Sequence, residues 1–437
     1  MNENNFFNKY FRTLENTETI KANGRVTQVV GLLIEATGPQ NPVGDVCNIM
    51  TAGGPLPCEI VGFRRNSVLL MPLLHTEGIR QGCAVVPTGT PLTAPAGDAL
   101  LGRLIDGLGN PIDDKGDLPD NLKRVPINNN PPNPMTRKRI LSPIETGIKV
   151  IDGLLTIGAG QRMGIFAGSG VGKSTLMGMI CRSSKADINV ISLVGERGRE
   201  VKDFLEKDLG PEGLKRSVIV VATSDQPALV RVKAAFTATA IAEHFRDQDK
   251  NVMLMMDSVT RFAMAQREIG LAVGEPPTTR GFPPSVFAML PKLLERAGTA
   301  RKGSITGIYT VLVDGGDMDE PITDAVRGIL DGHLLLSRQL ATQNIFPAVD
   351  ILGSISRLMP EIAEKEHFNA AGKLRNIYST YNKNADAISL GAYKAGSDPK
   401  IDEAIKKQPL IENFIKQAII EGIPFDHSIA EIKKIVG

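Results

Sequence analysis

Phe166-Ala167-Gly168-Ser169-Gly170-Val171-Gly172-Lys173-Ser174-Thr175 is the stretch that decides the fold. It closes an apolar run that begins at Arg162 and opens a helix-compatible run from Leu176. A strand, a glycine loop and a helix in that order are the setting of a P-loop. Gly168, Gly170 and Gly172 let successive backbone N–H groups turn inward onto phosphate oxygens, and the helix N-terminus adds the positive end of its dipole. Lys173 offers a cation to the β- and γ-phosphates, and the Ser174 hydroxyl suits Mg²⁺. Ala167 stands where the motif usually has glycine, which an ordinary strand-end conformation tolerates. The run predicts a nucleotide site formed by Gly168, Ser169, Gly170, Val171, Gly172, Lys173 and Ser174.

On either side of this loop, apolar runs alternate with helix-like stretches from Ile148 onward. The runs are Arg162 to Ala167, Ile188 to Val194, Ser217 to Ala222, Asn251 to Met256 and Ser304 to Val313. Such alternation predicts a parallel α/β sheet with helices on both faces. Val252-Met253-Leu254-Met255-Met256-Asp257 is an apolar strand ending in a carboxylate, as needed to hold Mg²⁺ or its water beside the P-loop serine. Ile188 to Val194 runs into Gly195-Glu196-Arg197-Gly198-Arg199-Glu200. That puts a carboxylate and two guanidiniums at the carboxyl edge of the sheet, where such folds bind ligands. Glu196 is the candidate for orienting and activating an attacking water; a solvated cluster of loop charges is the plainer alternative.

The chain has 437 residues, with 50 Lys and Arg against 48 Asp and Glu, so its net charge is only +2. With 42% hydrophobic and 22% charged residues it falls outside the disordered class and has material for a sizeable core. No run approaches the roughly 18 apolar residues of a spanning helix, and Met1 to Thr19 lacks the pattern of a secretory signal. The expected location is therefore cytoplasmic, with any membrane contact peripheral. Cys47, Cys58, Cys83 and Cys181 form no C-x-x-C pair and read as free thiols.

Five regions are expected. Residues 1–21 carry Phe6, Phe7, Tyr10, Phe11 and Leu14 at helical spacing, an amphipathic helix that either packs on its own domain or docks a partner or lipid surface. Residues 22–92 hold short β-rich runs cut by Gly and Pro, the pattern of a small β-barrel. An RNA-binding barrel is a weak alternative, because residues 21–90 contain five Lys or Arg, four Asp or Glu and one aromatic, Phe63. Residues 93–147 are a proline-rich connection, and 148–345 are the α/β nucleotide domain. In 346–437 the strand signal fades, and Ser397-Asp398-Pro399 reads as a helix start in a helical C-terminal domain.

Taken together, the P-loop, Gly195-Glu196-Arg197-Gly198-Arg199-Glu200-Val201, Asp257-Ser258-Val259-Thr260-Arg261 and Ser354-Ile355-Ser356-Arg357 resemble the flagellar protein-export ATPases. These are type III secretion ATPases, related to the catalytic subunit of rotary ATP synthases. The resemblance runs from the β-rich segment to Gly391-Ala392-Tyr393-Lys394-Ala395-Gly396-Ser397-Asp398-Pro399. It implies a homohexameric ring of subunits with an N-terminal β-barrel, a RecA-like domain and a helical C-terminal domain, with MgATP bound between neighbours. It also implies Thr175 near the α-phosphate, Glu196 as catalytic base, Arg197 at the γ-phosphate and Asp257 as the Mg²⁺-holding carboxylate. Phe346 matches the adenine-stacking position, often tyrosine in relatives. Arg357 matches the arginine finger that reaches a neighbour's site. Near a γ-phosphoryl group in transfer a guanidinium is worth ~10³ to 10⁵ in rate.

The same resemblance implies that ATP hydrolysis energises protein export, with chaperone release and unfolding of substrates. Its partners would be a negative regulator docking at the N-terminal helix, a central stalk protein in the ring pore, export chaperone–substrate complexes and the membrane export gate, with no nucleic acid. The ring would sit at the cytoplasmic face of the inner membrane. Gly274-Glu275-Pro276-Pro277-Thr278-Thr279-Arg280-Gly281-Phe282-Pro283-Pro284 and Asp314-Gly315-Gly316-Asp317-Met318-Asp319-Glu320-Pro321 fall where relatives place pore loops. Injectisome ATPases share these motifs and form one alternative. A subunit of a rotary proton ATPase is another; its non-catalytic form would lack the carboxylate present at Glu196. A hexameric RNA helicase is the third.

Overall fold

A computed structural model describes residues 23–437, so the expected N-terminal helix lies outside the described residues. Contact density divides the chain into two units. One spans residues up to Leu92 together with Leu271–Glu275, and the other takes in Thr93–Gly270 and Pro276–Gly437.

In the first unit, six antiparallel strands close a barrel in the order β1-β2-β5-β4-β3-β6. They are β1 (Gly24–Val30), β2 (Leu33–Ala36), β3 (Asp45–Thr51), β4 (Gly54–Arg64), β5 (Ser67–Pro72) and β6 (Ala84–Pro91). Closure removes the sheet edges that would otherwise present unpaired N–H and C=O groups. Ile34, Ile49, Ile60, Leu70 and Val85 fill the interior, and Cys47 and Cys58 face each other across β3 and β4 as free thiols.

The second unit is built on a sheet with the order β17-β16-β10-β15-β13-β11-β12-β8 and β14 (Gly298–Thr299) attached to β15. Its parallel strands are β8 (Leu104–Asp106), β10 (Arg162–Ala167), β11 (Ile188–Val194), β12 (Ser217–Ala222), β13 (Asn251–Asp257), β15 (Ser304–Leu312) and β16 (Gly332–Leu336). β11 and β12 are buried along their whole length, as expected of strands covered by helices on both faces. Within the proline-rich connection β7 (Thr93–Ala96) pairs with β9 (Lys123–Pro126), while the three-residue β8 joins the main sheet beside β12.

One correction concerns residues after Phe346, where the sequence suggests only helices. β17 (Val349–Ser356) pairs antiparallel with β16 and forms an edge strand. Its burial only partly alternates, and Gly353 interrupts the apolar pattern, so the usual strand signature is diluted. Three long helices follow, Lys365–Ser389, Pro399–Ile415 and Phe425–Val436. The second starts as expected, with the Asp398 side chain accepting a hydrogen bond from Lys400 N at 2.8 Å and Pro399 in the first turn. Leu374, Ile411, Phe414 and Ile432 join the nucleotide domain's Ile148, Ile151 and Leu154 in one continuous core. Burying each such side chain stabilises by about 1.5–3 kcal/mol. Among the described residues, no helix is long and apolar enough to cross a membrane.

Candidate functional site

The strand order places the carboxyl ends of β10, β11, β13 and β15 side by side, and the expected residues converge there. β10 delivers the chain to residues 168–172, and the helix Lys173–Ser183 departs from them. Gly170 and Gly172 have φ of 77° and 91°, left-handed values that glycine adopts without the strain a side chain would bring. The helix has no acidic residue in its first turn and no side-chain cap, so its N-terminal donors face the loop uncontested.

Lys173 crosses from this helix to two carboxylates. Its Nζ pairs with Asp257 Oδ1 at the end of β13 and lies 3.6 Å from Glu196 Oε1, beyond the end of β11. Thr310 on β15 donates its hydroxyl to the same Asp257 oxygen at 2.7 Å, orienting the carboxylate from the adjacent strand. Glu196 is mostly buried, and its Oε1 makes no hydrogen bond among the described residues. Burial pushes the Glu196 carboxyl up to about 7, the Asp257 charge adds to the rise, and Lys173 opposes it. A carboxyl at this value exchanges protons near neutrality, which suits a general base.

Beyond the loop, the cleft widens into a cavity of ≈ 760 Å³ lined by Gly170, Gly172, Thr175, Leu176, Met179, Phe346, Pro347 and Gln417. The Phe346 ring comes against the loop, 3.7 Å from where a Cβ on Gly172 would sit. The cleft thus has a charged end for phosphates and an apolar end for a planar base, the pattern of a built small-molecule site.

Two expected residues stand apart. Arg197 is 79% exposed, with its guanidinium 3.7 Å from Glu200 at the cleft mouth. Arg357 follows β17, is exposed, and donates its backbone N–H to Asp331 O and its Nη2 to Arg327 O. Ser356 pairs with Gly332 at the start of β16, whereas Ala167 pairs with Leu336 at its end. That register separates Arg357 from its own P-loop by at least about 13 Å of strand. The two loops assigned to a pore are joined by an ion pair, Arg280 to Asp317 at 3.1 Å.

Sequence reasoning missed three contributors. Thr310 holds Asp257, but its hydroxyl is one of several in an apolar run, and only the strand order shows which one meets the carboxylate. Arg338, which opens the short helix Arg338–Thr342 after β16, donates Nη2 to the P-loop carbonyl of Ser169 at 3.4 Å. Gln417 lines the base end from a point in the chain about 70 residues beyond Phe346. No local motif marks any of them.

A phosphate cradle whose lysine lies between two carboxylates at the carboxyl edge of a parallel sheet puts the chain in the class of P-loop nucleoside triphosphatases. Comparison with known proteins narrows this. The beta-barrel domain of the ATP synthase alpha/beta family matches residues 26–89 and its nucleotide-binding domain residues 147–356, while the T3SS EscN ATPase C-terminal domain matches residues 363–434. The flagellum-specific ATP synthase of Bacillus subtilis strain 168 is 56% identical over 427 residues, 97% of this chain and 97% of that protein. The assembled ATPase EscN from the type III secretion system of enteropathogenic E. coli superposes with a TM-score of 0.90 at 48% identity, covering 95% of this chain and 100% of that one. EscN in complex with its central stalk EscO gives 0.88 over the same shares. The chain belongs to the family of flagellum-specific ATP synthases and type 3 secretion system ATPases. It is accordingly an ATPase, with the barrel, nucleotide domain and helical region anticipated from its sequence.

Proposed function

We propose that the chain hydrolyses MgATP in a homohexameric ring and so energises type III export of flagellar components, including release and unfolding of chaperone-bound substrates. The observation that carries this reading is Lys173 held between Glu196 and Asp257 beside an intact P-loop, in a chain similar over nearly its whole length to flagellum-specific relatives.

The reading gives each residue a role that the geometry supports. Residues 168–175 cradle the phosphates, and Lys173 exchanges its carboxylate partners for the β- and γ-phosphates. Glu196 takes a proton from water as the water oxygen attacks the γ-phosphorus and the β–γ bridging oxygen leaves with ADP. Hard oxygen donors on Ser174 and Asp257 suit Mg²⁺, and the orphaned Glu196 Oε1 suits a water ordered nearby. When bound, the ion neutralises phosphate charge. Arg197 swings from the mouth to the γ-phosphate, Phe346 stacks on adenine, and Arg357 serves the adjacent subunit's site because it cannot serve its own.

The partners in this reading are a central stalk at the loops of Arg280 and Asp317, a negative regulator at residues 1–21, chaperone–substrate complexes and the membrane export gate. The ring works in the cytoplasm at the inner face of the membrane. The regions 22–92, 93–147, 148–345 and 346–437 are its working parts. The similarity to EscN keeps an injectisome role as the second reading.

The test is ATPase activity per subunit of the purified chain over a wide concentration range, followed by deletion of the gene. Activity rising steeply with concentration, with loss of flagellar filaments on deletion, is expected. Flat, absent activity while ATP still binds would remove the self-completed ring. Intact filaments with lost effector secretion would favour the injectisome.

A further inference from the structure

Gln417 lies just past the end of the helix Pro399–Ile415, at the lip of the base end of the cleft. Its side chain is buried and fully used. Oε1 accepts the backbone N–H of Lys149 at 2.8 Å, and Nε2 donates to Gly147 O at 2.7 Å and Glu421 O at 2.9 Å. Its own backbone N–H donates to Phe346 O at 2.9 Å. One residue therefore joins the entry to the nucleotide domain, the stacking loop and the lip of the helical region.

The three segments it joins also bear on the P-loop helix. Gly147, at φ 76°, is pressed so close to the last turn of that helix that a Cβ would fall 2.4 Å from Ser183 Cβ. Asp152 is completely buried and accepts the N–H groups of Thr146 and Gly147, both at 3.0 Å, holding this corner in place. Arg182 in the same turn donates to the lip carbonyl of Ile419. At the other end of the helix, Gly172 meets the Phe346 ring. A closed circuit of contacts thus runs around the base slot, and Gln417 is the residue common to its parts, by its side chain to residues 147, 149 and 421 and by its backbone to Phe346.

We propose that Gln417 is a positioning residue that sets the width of the base slot by holding the Phe346 loop and the 416–421 lip at fixed distance from the P-loop helix. Its amide is committed to backbone groups, so it acts on the nucleotide by fixing the lip whose backbone N–H holds Phe346, rather than by reading the base. The consequence is selective. Binding of the base depends on Gln417, and binding of the phosphates does not. The inference rests on the stacking role given to Phe346 above.

The test compares ATP with tripolyphosphate, which fills the phosphate cradle but has no base. In Gln417→Ala, KM for ATP is expected to rise about tenfold, the scale of losing hydrogen bonds that fix a binding group. The inhibition constant of tripolyphosphate should stay within about twofold, and kcat should fall less than KM rises. Gln417→Glu keeps the acceptor for Lys149 but turns a carboxylate oxygen on two carbonyls, and the same split is expected. Unchanged KM in both, or a parallel loss of tripolyphosphate binding, overturns the proposal. Hydrogen exchange on the unaltered chain tests it without a substitution. ADP should slow exchange in segments 146–149 and 416–421 while tripolyphosphate does not; equal protection by both ligands also overturns it. Phe346→Ala separates the two readings. If it leaves KM for ATP unchanged, the stacking role itself has failed.

Discussion

The P-loop end and the Arg357 end belong to one sheet yet differ in kind. At the first, Lys173, Glu196, Asp257 and Thr310 are mutually held and largely buried. At the second, Arg357 is exposed, and its hydrogen bonds among the described residues run to the backbone carbonyls of Asp331 and Arg327. The difference teaches where one chain's site stops. The groups proposed to bind phosphate and activate water are arranged within the subunit, whereas the guanidinium proposed for the transition state stands at an exposed edge, apart from its own P-loop.

The sharpest way to break this comparison is Arg357→Ala, which should lower kcat by ~10³ or more if the residue acts as a finger. Mixed with Lys173→Ala subunits, it should regain activity at interfaces where an intact P-loop meets an intact Arg357. Failure to recover despite co-assembly would return Arg357 to the surface.

Glu196→Gln should cost ~10² to 10⁴ in kcat with ATP affinity near that of the unaltered chain, measured by turnover and equilibrium binding. If Glu196 is the base it must be ionised, so kcat/KM of the unaltered chain should fall below pH 7, towards tenfold per unit. A flat profile from pH 6 to 8 would remove Glu196 from that role.

A smaller effect concerns stability without nucleotide. The Glu196 carboxyl titrates near 7 when folded against about 4.5 when unfolded, so folding takes up a proton between these values. Its contribution is intact below pH 4.5 and lost as pH rises through 7. Glu196→Gln escapes that loss and should be the more stable form at pH 8, by on the order of 1–3 kcal/mol, with no difference at pH 4.5. Thermal melts at both pH values check the sign. The smallest effect is Arg280→Ala, which removes an exposed pair and should leave both melting and stalk-free ATPase activity unchanged. A lowered stalk-dependent rate alone would place the loop at the partner.

These contrasts also explain what was legible in the sequence. The P-loop is contiguous, and Glu196 and Asp257 each end an apolar strand, so local chemistry announces them. Thr310 meets Asp257 across 53 positions, and Gln417 meets Lys149 across 268. Such pairings depend on strand order and helix packing, which local patterns do not encode. β8 escaped because three residues among prolines carry no periodicity, and β17 because Gly353 and an exposed edge dilute its alternation. The barrel and the C-terminal helices were readable because turn residues and the Asp398-Pro399 start punctuate them directly.

The lysine between two carboxylates has a consequence for the return half of the cycle. Asp257 pairs with the Lys173 ammonium, the group that the proposed function assigns to phosphate. On that assignment nucleotide would enter by displacing a tethered anion, and the same anion would stand ready to displace product. A tethered competitor of this sort would weaken the grip on ADP and phosphate without any motion of the backbone. Thr310 keeps that carboxylate aimed, so on the same assignment its hydroxyl would act as a tuning screw on how quickly a spent site empties.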